Sequence, residues 1–322
     1  MTREADGPGT SPERPDGGDL EALRPLLFSI AYRMLATVSQ AEDLVQEAFV
    51  RHQRALAGGA AIESPKAYLS AVVTRLAIDE LRSARTARET YVGQWLPEPL
   101  LTDGGGTDPE AAAERADSLS MAFLVLLERL NPVERAVFLL HDVFGYGFAE
   151  VADIVERAEA NCRQIARRAR RAIEAERPRF EASRAERDRL ARRFFAAVTD
   201  GDVEGLVDLL AADAVLVGDG GGKAPQWPVP IVGAERAAAV LASVGRRVGE
   251  LAGRLELREV NGQPGALVQA AEGRLINVFA LDIADGRVQA IRSVINPDKL
   301  GHVGPTADVW ALLRRGHHQA GA

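Results

Sequence analysis

The sequence predicts a multidomain fold, with two all-α modules in the first half of the chain and an α+β domain in the second. Three observations support this prediction. A chain of 322 residues is long enough for two or three hydrophobic cores. Apolar residues recur at helical spacing up to about residue 182, interrupted once by a stretch rich in Pro, Gly and acidic residues. After residue 183, short apolar runs alternate with Asn-Gly and Asp-Gly turns, which are typical of hairpins.

The first elements are a tail and a helical module. Residues 1–19 are acidic, rich in Gly and Pro and without a hydrophobic signal core, so we expect a disordered tail and a cytoplasmic protein. Residues 20–90 should form the first module, because three apolar stripes follow helical spacing there. Gly58–Gly59 ends the second helix, and Ser64–Pro65 begins the third in the usual order of cap and first turn.

Residues 91–108 are predicted to form an acidic linker between the two helical modules. The net charge of the chain is −7, to which residues 1–19 contribute −3 and residues 91–119 contribute −5. The overall acidity is therefore compatible with a basic surface elsewhere. No apolar run approaches the roughly 20 residues that a membrane span needs, so we expect no membrane association.

Residues 109–182 should form the second helical module, and its centre has the pattern of a helix-turn-helix. Gly147–Val155 and Glu159–Ile173 have helical spacing, with a short connector between them. The second helix turns inward an apolar face that includes the single cysteine, Cys162, which we expect to be core packing. Its outward face carries Gln164 and five arginines. On an isolated helix such a face can be merely solvated, but a basic helix paired with another fits the DNA major groove.

Residues 183–301 are predicted to form the α+β domain. Leu190–Val198 and Val203–Leu210 have helical spacing, and the later apolar runs should form a strongly turned antiparallel sheet. These runs are Ala214–Val217, Arg254–Val260, Ala266–Ala271, Leu275–Asp282 and Val288–Val294. Residues 302–322 should form a C-terminal tail, with a short docking helix around Trp310, Leu312 and Leu313.

Five segments of the helical modules match a known pattern: AEDLVQEAF at Ala41–Phe49, PKAYL at Pro65–Leu69, LAIDELR at Leu76–Arg82, LNPVER at Leu130–Arg135 and FGY at Phe144–Tyr146. Together they resemble an extracytoplasmic-function (ECF) sigma factor, the promoter-recognising subunit of bacterial RNA polymerase. The first segment resembles the polymerase-docking helix of sigma domain two, and the next two resemble the helix that handles the melted minus-ten element. The last two resemble sigma domain four, which reads the minus-thirty-five element.

Three pentapeptides narrow the resemblance to the SigJ-like subgroup, which carries a fused SnoaL-like C-terminal domain. They are WLPEP (Trp95, Leu96, Pro97, Glu98, Pro99), DGGGK (Asp219, Gly220, Gly221, Gly222, Lys223) and NPDKL (Asn296, Pro297, Asp298, Lys299, Leu300). The resemblance covers about residues 20–300. It implies that the α+β domain is SnoaL-like and cone-shaped, and that the pentapeptides make regulatory contacts between domains. It also implies core RNA polymerase and promoter DNA as partners, and docking of the linker on the C-terminal domain. The charge of the linker would also suit the basic RNA exit channel of the polymerase, and collapse of the linker onto its own domain is the alternative.

The residue pattern and the resemblance together predict three sets of binding residues. The minus-thirty-five set is Asn161, Arg163, Gln164, Arg167, Arg168 and Arg171. The minus-ten set is Glu63, Ser64, Lys66, Arg75, Asp79, Arg82 and Arg85, beside loop 58–64 as a base pocket. The polymerase-binding set is Glu42, Asp43, Gln46 and Glu47.

Three positions depart from the family pattern. Arg75 stands where many ECF sigma factors carry Asn, so the usual base contact there is not assumed. Glu156 and Ala158 occupy the helix-turn-helix connector, where Gly and a capping Ser are usual. Because a lost Ser cap costs about 1 kcal/mol, we expect a weaker turn.

The third domain is not expected to be an enzyme. Relatives of the SnoaL-like fold include cyclases and isomerases that use Asp with Tyr or His. All four tyrosines (Tyr32, Tyr68, Tyr91, Tyr146) precede residue 183, and the later histidines (His302, His317, His318) follow the predicted sheet. The aspartates Asp200, Asp202, Asp213 and Asp282 have the positions of caps or turn acids. We find no metal-ligand spacing and expect no cofactor.

Two alternative functions stay open at this point. The first is a helix-turn-helix regulator whose third domain senses a ligand, which leaves the first module and its linker without a role. The second is a cyclase-like or isomerase-like enzyme tethered to DNA, which the missing Tyr and His disfavour. For the sigma-factor hypothesis, the third domain should receive a small-molecule or protein signal and regulate the chain from within.

Overall fold

The computed structural model describes residues 20–102, 117–174 and 183–319, with the side chains of 84–89 and 315–319 left out. The expected tail 1–19, the linker residues 103–108 and the predicted helical stretches 109–116 and 175–182 lie outside the described residues. The side chains of Arg85, His317 and His318 do so as well. In the described ranges, no helix is both long and apolar enough to cross a membrane.

Three helices form the first group: α1 (Arg24–Leu35), α2 (Val38–Ala57) and α3 (Pro65–Glu89). Gly58 ends α2 as predicted. The Ser64 side chain accepts a hydrogen bond from the backbone N–H of Ala67 at 3.3 Å, which caps the start of α3. These local signals allow the three helices to pack around one apolar interior.

The second group contains α4 (Met121–Leu127), α5 (Pro132–Phe138), a π-helical turn (Leu139–Val143), α6 (Phe148–Val155) and α7 (Glu159–Glu174). Asn131 and Glu134 form a capping box at the start of α5. The apolar faces of both groups pack into one shared hydrophobic core. The two helical groups therefore form a single body in this structure.

The third part contains α8 (Arg184–Asp200), α9 (Val203–Leu209), β1 (Leu210–Asp219), β2 (Ile231–Val232), α10 (Ala234–Glu250), β3 (Arg254–Val260), β4 (Gln263–Gln269), β5 (Leu275–Ala284), β6 (Arg287–Val294), a 3₁₀ turn (Pro297–Lys299) and α11 (Val309–Gln319). The six strands form one sheet in the order β2-β1-β6-β5-β4-β3. One sheet face packs against α8 and α10. The alternate residues of β4 and β5 form a separate core with Leu96 and Met121 from the preceding half of the chain.

The prediction of a purely antiparallel sheet is wrong, because β1 and β6 pair in parallel. The chain leaves β1, passes through β2, α10 and three further strands, and returns beside β1 in the same direction. Missing from the sequence analysis is α10, whose buried residues include the small side chains of Ala237, Ala238 and Ala242. Gly245 in α10 allows close packing on α8, since a Cβ atom there would lie 1.7 Å from the carbonyl oxygen of Val198.

Candidate nucleic-acid interface and linker-binding cluster

The helix-turn-helix consists of α6 and α7, joined by three residues. The prediction for the buried face of α7 is confirmed, because Cys162, Ile165, Ala166, Ala169 and Ile173 are all buried. Burial raises the pKa of the Cys162 thiol, which agrees with a packing role. The whole predicted minus-thirty-five set is exposed on the opposite face.

Some of the arginines on this face have partners within the second helical group. Arg163 pairs with Glu159 one turn earlier, and its guanidinium lies 4.8 Å from the centre of the Phe148 ring. Arg168 lies 3.7 Å from a carboxylate oxygen of Glu134. Arg170, half-buried, pairs with Asp142 and so points away from the exposed set.

Gln164, Arg167 and Arg171 of α7 are exposed and have no side-chain partner among the described residues. They leave a row of free donors along the outer face of α7. Arg and Gln can hydrogen-bond base edges and phosphates at the same time in a major groove. This face is therefore the part of the second helical group best suited to DNA.

The connector adopts the conformation that a glycine would favour, although it contains none. Glu156 has φ 54° and ψ 53°, which places a side chain in the left-handed region. Ala158 accepts backbone hydrogen bonds from Asn161 and Cys162 but offers no side-chain oxygen to the first turn of α7. The departures noted in the sequence therefore leave a strained turn and an uncapped helix.

Ala158→Ser is expected to raise the free energy of unfolding by about 1 kcal/mol, because its hydroxyl can accept from a free N–H in the first turn of α7. The matched control is Ala160→Ser, two positions further on and inside the helix, which should give no gain. Equilibrium urea unfolding of both variants measures the difference. Equal stability of the two variants would contradict the capping argument.

The described side chains of the predicted minus-ten set lie on or next to α3. Glu63, Ser64, Lys66, Arg75, Asp79 and Arg82 are all exposed. Arg82 pairs with Asp79 at 3.1 Å, so part of its charge is neutralised within the helix. Loop 58–64 precedes these residues and is exposed over most of its length.

Arg75 joins the first helical group to the helix-turn-helix. Its guanidinium donates to the carbonyl oxygens of Ile154 at 2.9 Å and Asp153 at 2.8 Å, and it lies 3.2 Å from the Glu156 carboxylate. These carbonyls end α6, where an arginine is favourable. In this arrangement Arg75 binds protein, and its predicted contact with promoter DNA stays a prediction.

Two further contacts hold α3 against the turn before α6. The hydroxyls of Ser70 and Tyr146 lie 2.8 Å apart in a buried contact. The Lys66 ammonium lies 5.7 Å from the centre of the Tyr146 ring. Arg135 of α5 adds a buried hydrogen bond of 2.6 Å to the carbonyl oxygen of Met34, and burial lowers the pKa of Arg135 to about 10.

The predicted polymerase-binding set lies on α2, with Glu42, Asp43 and Gln46 exposed and Glu47 half-buried. The start of α2 is capped from the linker, and the side chain of its own N-cap residue, Thr37, forms no capping hydrogen bond. The Glu98 carboxylate accepts from the backbone N–H of Val38 at 2.7 Å. Burial raises the pKa of Glu98. The linker is therefore bound to the base of the helix that carries the predicted docking residues.

The linker-binding cluster consists of residues 219–223 and 296–300 of the third domain. Its centre is Asp219, which is 0% exposed and accepts from the backbone N–H of Leu96 at 2.8 Å and from the Lys299 ammonium at 2.7 Å. Lys299 is 7% exposed and also donates to the carbonyl oxygen of Leu96. Its ammonium lies 4.3 Å from the centre of the Trp95 ring. The buried Asp219–Lys299 pair therefore binds both backbone polar groups of Leu96, its N–H and its carbonyl oxygen.

Tyr91 extends the linker-binding cluster along the linker. Its hydroxyl donates to Asp219 at 2.5 Å and accepts from the Asn296 side chain at 2.9 Å. Burial, followed by the hydrogen bond to Asp219, raises the pKa of Tyr91. Gly221 adopts φ 56°, and a Cβ atom there would lie 2.2 Å from the Asn296 amide nitrogen. The glycine-rich loop thus needs glycine at Gly221 for close packing.

The structure brings the three predicted pentapeptides into contact, and one ion pair lies at the exposed edge of that contact. Lys223 and Asp298 form an ion pair at 2.5 Å, and both side chains are more than half exposed. Leu96, Pro97, Glu98 and Pro99 are buried. His302, predicted only as part of the tail, contacts the carbonyl oxygen of Pro99 at 2.7 Å.

Asn261 forms an interdomain junction that the sequence analysis missed. It lies at the β3–β4 turn with φ 52°, and its amide donates to the Tyr32 hydroxyl at 2.7 Å and to the carbonyl oxygen of Leu119 at 3.1 Å. Its side-chain oxygen accepts from the backbone N–H of Leu100 at 2.9 Å. The Asn-Gly signal predicts the hairpin turn but contains no information on these three partners.

Two aspartates of the third domain have different structural roles. Asp202 caps α9 as predicted, by accepting from the backbone N–H of Gly205 at 2.9 Å. The prediction that Asp282 is a cap or turn acid is wrong: it lies within β5, 5% exposed, and pairs with Arg292 at 2.7 Å. Among the described residues, no cluster of three or more His, Cys, Asp or Glu could hold a metal ion.

Comparison with known proteins agrees with this architecture. Residues 20–87 match the family model described as Sigma-70 region 2, and residues 120–173 match Sigma-70, region 4. The chain is 39% identical over 290 residues to the ECF RNA polymerase sigma factor SigJ of Mycobacterium tuberculosis, covering 87% of this chain and 92% of the relative. It is 33% identical over 285 residues to the probable ECF RNA polymerase sigma factor SigI of the same species, covering 87% and 92%.

The crystal structure of M. tuberculosis SigJ extends the similarity to the third domain. It superimposes with a TM-score of 0.72 at 37% identity, covering 91% of this chain and 100% of that one. The helical groups and the α+β domain with its mixed sheet therefore share the fold of that protein. On this sequence identity and coverage, the chain belongs to the ECF family of RNA polymerase sigma factors.

Proposed function

We propose that this sigma factor binds core RNA polymerase, directs initiation at specific promoters and is regulated by its own SnoaL-like third domain. The observation that carries the regulatory part is the buried Asp219–Lys299 pair, which binds the linker between the two sigma domains. We divide the chain into sigma domain two (20–90), linker (91–108), sigma domain four (109–182) and SnoaL-like domain (183–301). A tail on each side, 1–19 and 302–322, completes the division.

Each predicted set has one role in this proposal. The acidic face of α2, with Asp43 and Gln46 at its centre, contacts a basic surface of the polymerase. The residues around α3 bind the separated strand at the minus-ten element, through stacking pockets and phosphate contacts. The outer face of α7 enters the major groove at the minus-thirty-five element. Once released from the third domain, the acidic linker occupies the RNA exit channel of the polymerase.

The contacts described above hold the chain in a resting arrangement. Arg75 and Lys66 of the minus-ten set contact domain four, and Glu98 contacts the start of the docking helix. An extended promoter complex requires those contacts to separate. Polymerase, DNA or a signal at the third domain supplies the few kcal/mol of differential binding that such a shift needs.

Arg163→Ala is expected to relax promoter choice, whereas Arg171→Ala weakens binding to all promoters. Arg163 lies in the first turns of α7, held over Phe148, where a recognition helix reads bases. Its loss should remove roughly 1–3 kcal/mol of discrimination against altered upstream elements. Run-off transcription from matched and altered promoters measures both effects. Unchanged selectivity and yield in both variants would overturn the assignment.

The two alternative functions can be separated from a sigma factor by their partners and by the side chains that they require. A ligand-sensing helix-turn-helix regulator would bind DNA without polymerase. Co-purification of the chain with core polymerase would therefore contradict this alternative. A DNA-tethered cyclase or isomerase would need acid–base groups in its cavity, and the described residues that line the cavity of the third domain include no Asp, Glu, His, Tyr, Cys or Lys. We therefore propose that the chain is not an enzyme.

A further inference from the structure

A cavity of about 510 Å³ lies in the third domain, between the sheet, α10 and α11. Its volume is within the range of small-molecule sites, and its walls are largely apolar. Val244 and Val248 come from α10, Leu312 from α11 and Ile276 from β5. A bound molecule would therefore be mostly apolar, with α11 as one wall.

The lining includes a buried oxygen atom that has no hydrogen-bond partner among the described residues. The Asn277 side chain is 6% exposed, and its nitrogen donates to the Ser293 hydroxyl at 2.8 Å. Gln226 donates to the same hydroxyl at 3.1 Å. The Asn277 side-chain oxygen is buried, yet it accepts no hydrogen bond from any described residue. Buried acceptors normally have a donor, so this oxygen fits the hydroxyl group of a bound molecule.

An arginine supplies a charge at the exposed side of the cavity. Arg247 of α10 lines the cavity, is exposed and makes no ion pair within the described ranges. Its neighbour Arg246 lies against Gly201 of the α8–α9 turn and is not part of the cavity lining. Arg247, a charged residue of the lining, therefore favours an acidic substituent.

The lining contains no Asp, Glu, His, Tyr, Cys or Lys among its described residues. General acid–base and nucleophilic steps need such groups, so the cavity is built for binding rather than turnover. We propose that it binds a mostly apolar molecule that carries a hydroxyl group, held by Asn277, and an acidic group, held by Arg247.

The cavity adjoins the linker-binding cluster. Gln226 follows residues 219–223 closely in the chain, and Ile295 of the lining immediately precedes Asn296. A Cβ atom at Gly218 would lie 2.0 Å from the Gln226 side chain, so β1 packs closely against this loop. This placement makes the cavity the sensing site of the regulation proposed above, although ligand binding itself does not depend on that function.

Isothermal titration of the full chain with 12-hydroxydodecanoate tests the proposal without any transcription. We expect saturable binding of one molecule per chain, with dodecanoate binding about three- to tenfold more weakly because it lacks the hydroxyl. Arg247→Gln should weaken both ligands about tenfold, whereas its matched control Arg246→Gln should leave both unchanged. In Asn277→Leu the two ligands should bind alike.

Other outcomes overturn the proposal. They are the absence of saturable binding below about 1 mM, equal effects of the two arginine variants, and a hydroxyl preference that survives Asn277→Leu. Should Asn277→Leu fail to fold, Ser243→Trp replaces it, because Ser243 is an exposed residue of the lining and a tryptophan there would block the entrance. Unchanged binding in Ser243→Trp also counts against the cavity.

Discussion

Asp219→Ala is expected to lower the free energy of unfolding of the full chain by about 3–5 kcal/mol, because it leaves a buried ammonium without its counter-charge. Lys299 is 7% exposed, and its ammonium pairs with the Asp219 carboxylate at 2.7 Å. The same change removes the acceptor of the Tyr91 hydroxyl and of the Leu96 backbone N–H. The linker should consequently detach from the third domain. Equilibrium urea unfolding followed by circular dichroism measures the stability, and tryptophan fluorescence reports the surroundings of Trp95.

Lys223→Ala is the matched control, since Lys223 and Asp298 join the same two segments of the linker-binding cluster by an exposed ion pair. Exposed pairs contribute about 0–1 kcal/mol, so this variant should stay close to the parent. The double variant Asp219→Ala with Lys299→Met should lose less than Asp219→Ala alone, because the buried charge is gone as well. Equal small losses for Asp219→Ala and Lys223→Ala would contradict a buried pair at the centre of the cluster.

Truncation after Ile295 is expected to raise transcription by core polymerase roughly tenfold, which corresponds to about 1.4 kcal/mol of released contact. The cut removes Lys299 and His302 but keeps all six strands and the Asn261 junction. The linker and α2 should therefore be freed while the helical body keeps its support. Run-off transcription with equal amounts of full-length and truncated chain measures the change.

Truncation after Phe180 should act differently, because it removes the whole third domain. The Asn261 contacts to Tyr32 and Leu119 disappear, and Leu96 and Met121 lose the sheet face that buries them. A chain with that apolar surface exposed should be less stable and transcribe less than the Ile295 truncation. Identical activity of both truncations and the full chain would reject internal regulation.

The helical half could largely be predicted from the sequence, because long amphipathic helices carry a strong periodic signal. The buried face of α7 is an example, since its apolar residues occur at regular spacing. The α10 helix is missing from the sequence analysis, although its buried residues also recur at helical spacing on one face. The parallel pairing of β1 and β6 depends on a crossover that no local pattern encodes.

The residues of the candidate site likewise include some that the sequence identifies and others that it does not. Residue types at helical spacing identify the exposed arginines of α7, and the three pentapeptides identify the linker-binding cluster. The partners of Arg75 and Asn261 could not be predicted, because they lie about 80 or more positions away in the chain. Contacts of that separation arise from the packing of whole domains, and a single sequence contains no direct signal for them.

Reconstituted run-off transcription tests the central claim most directly. Purified core polymerase is incubated with genomic DNA, with or without the full-length chain, and the transcript starts are mapped. We expect discrete new starts that appear only when the chain is present. A start-site pattern identical to that of core polymerase alone would contradict the assignment of this protein as a promoter-recognising subunit.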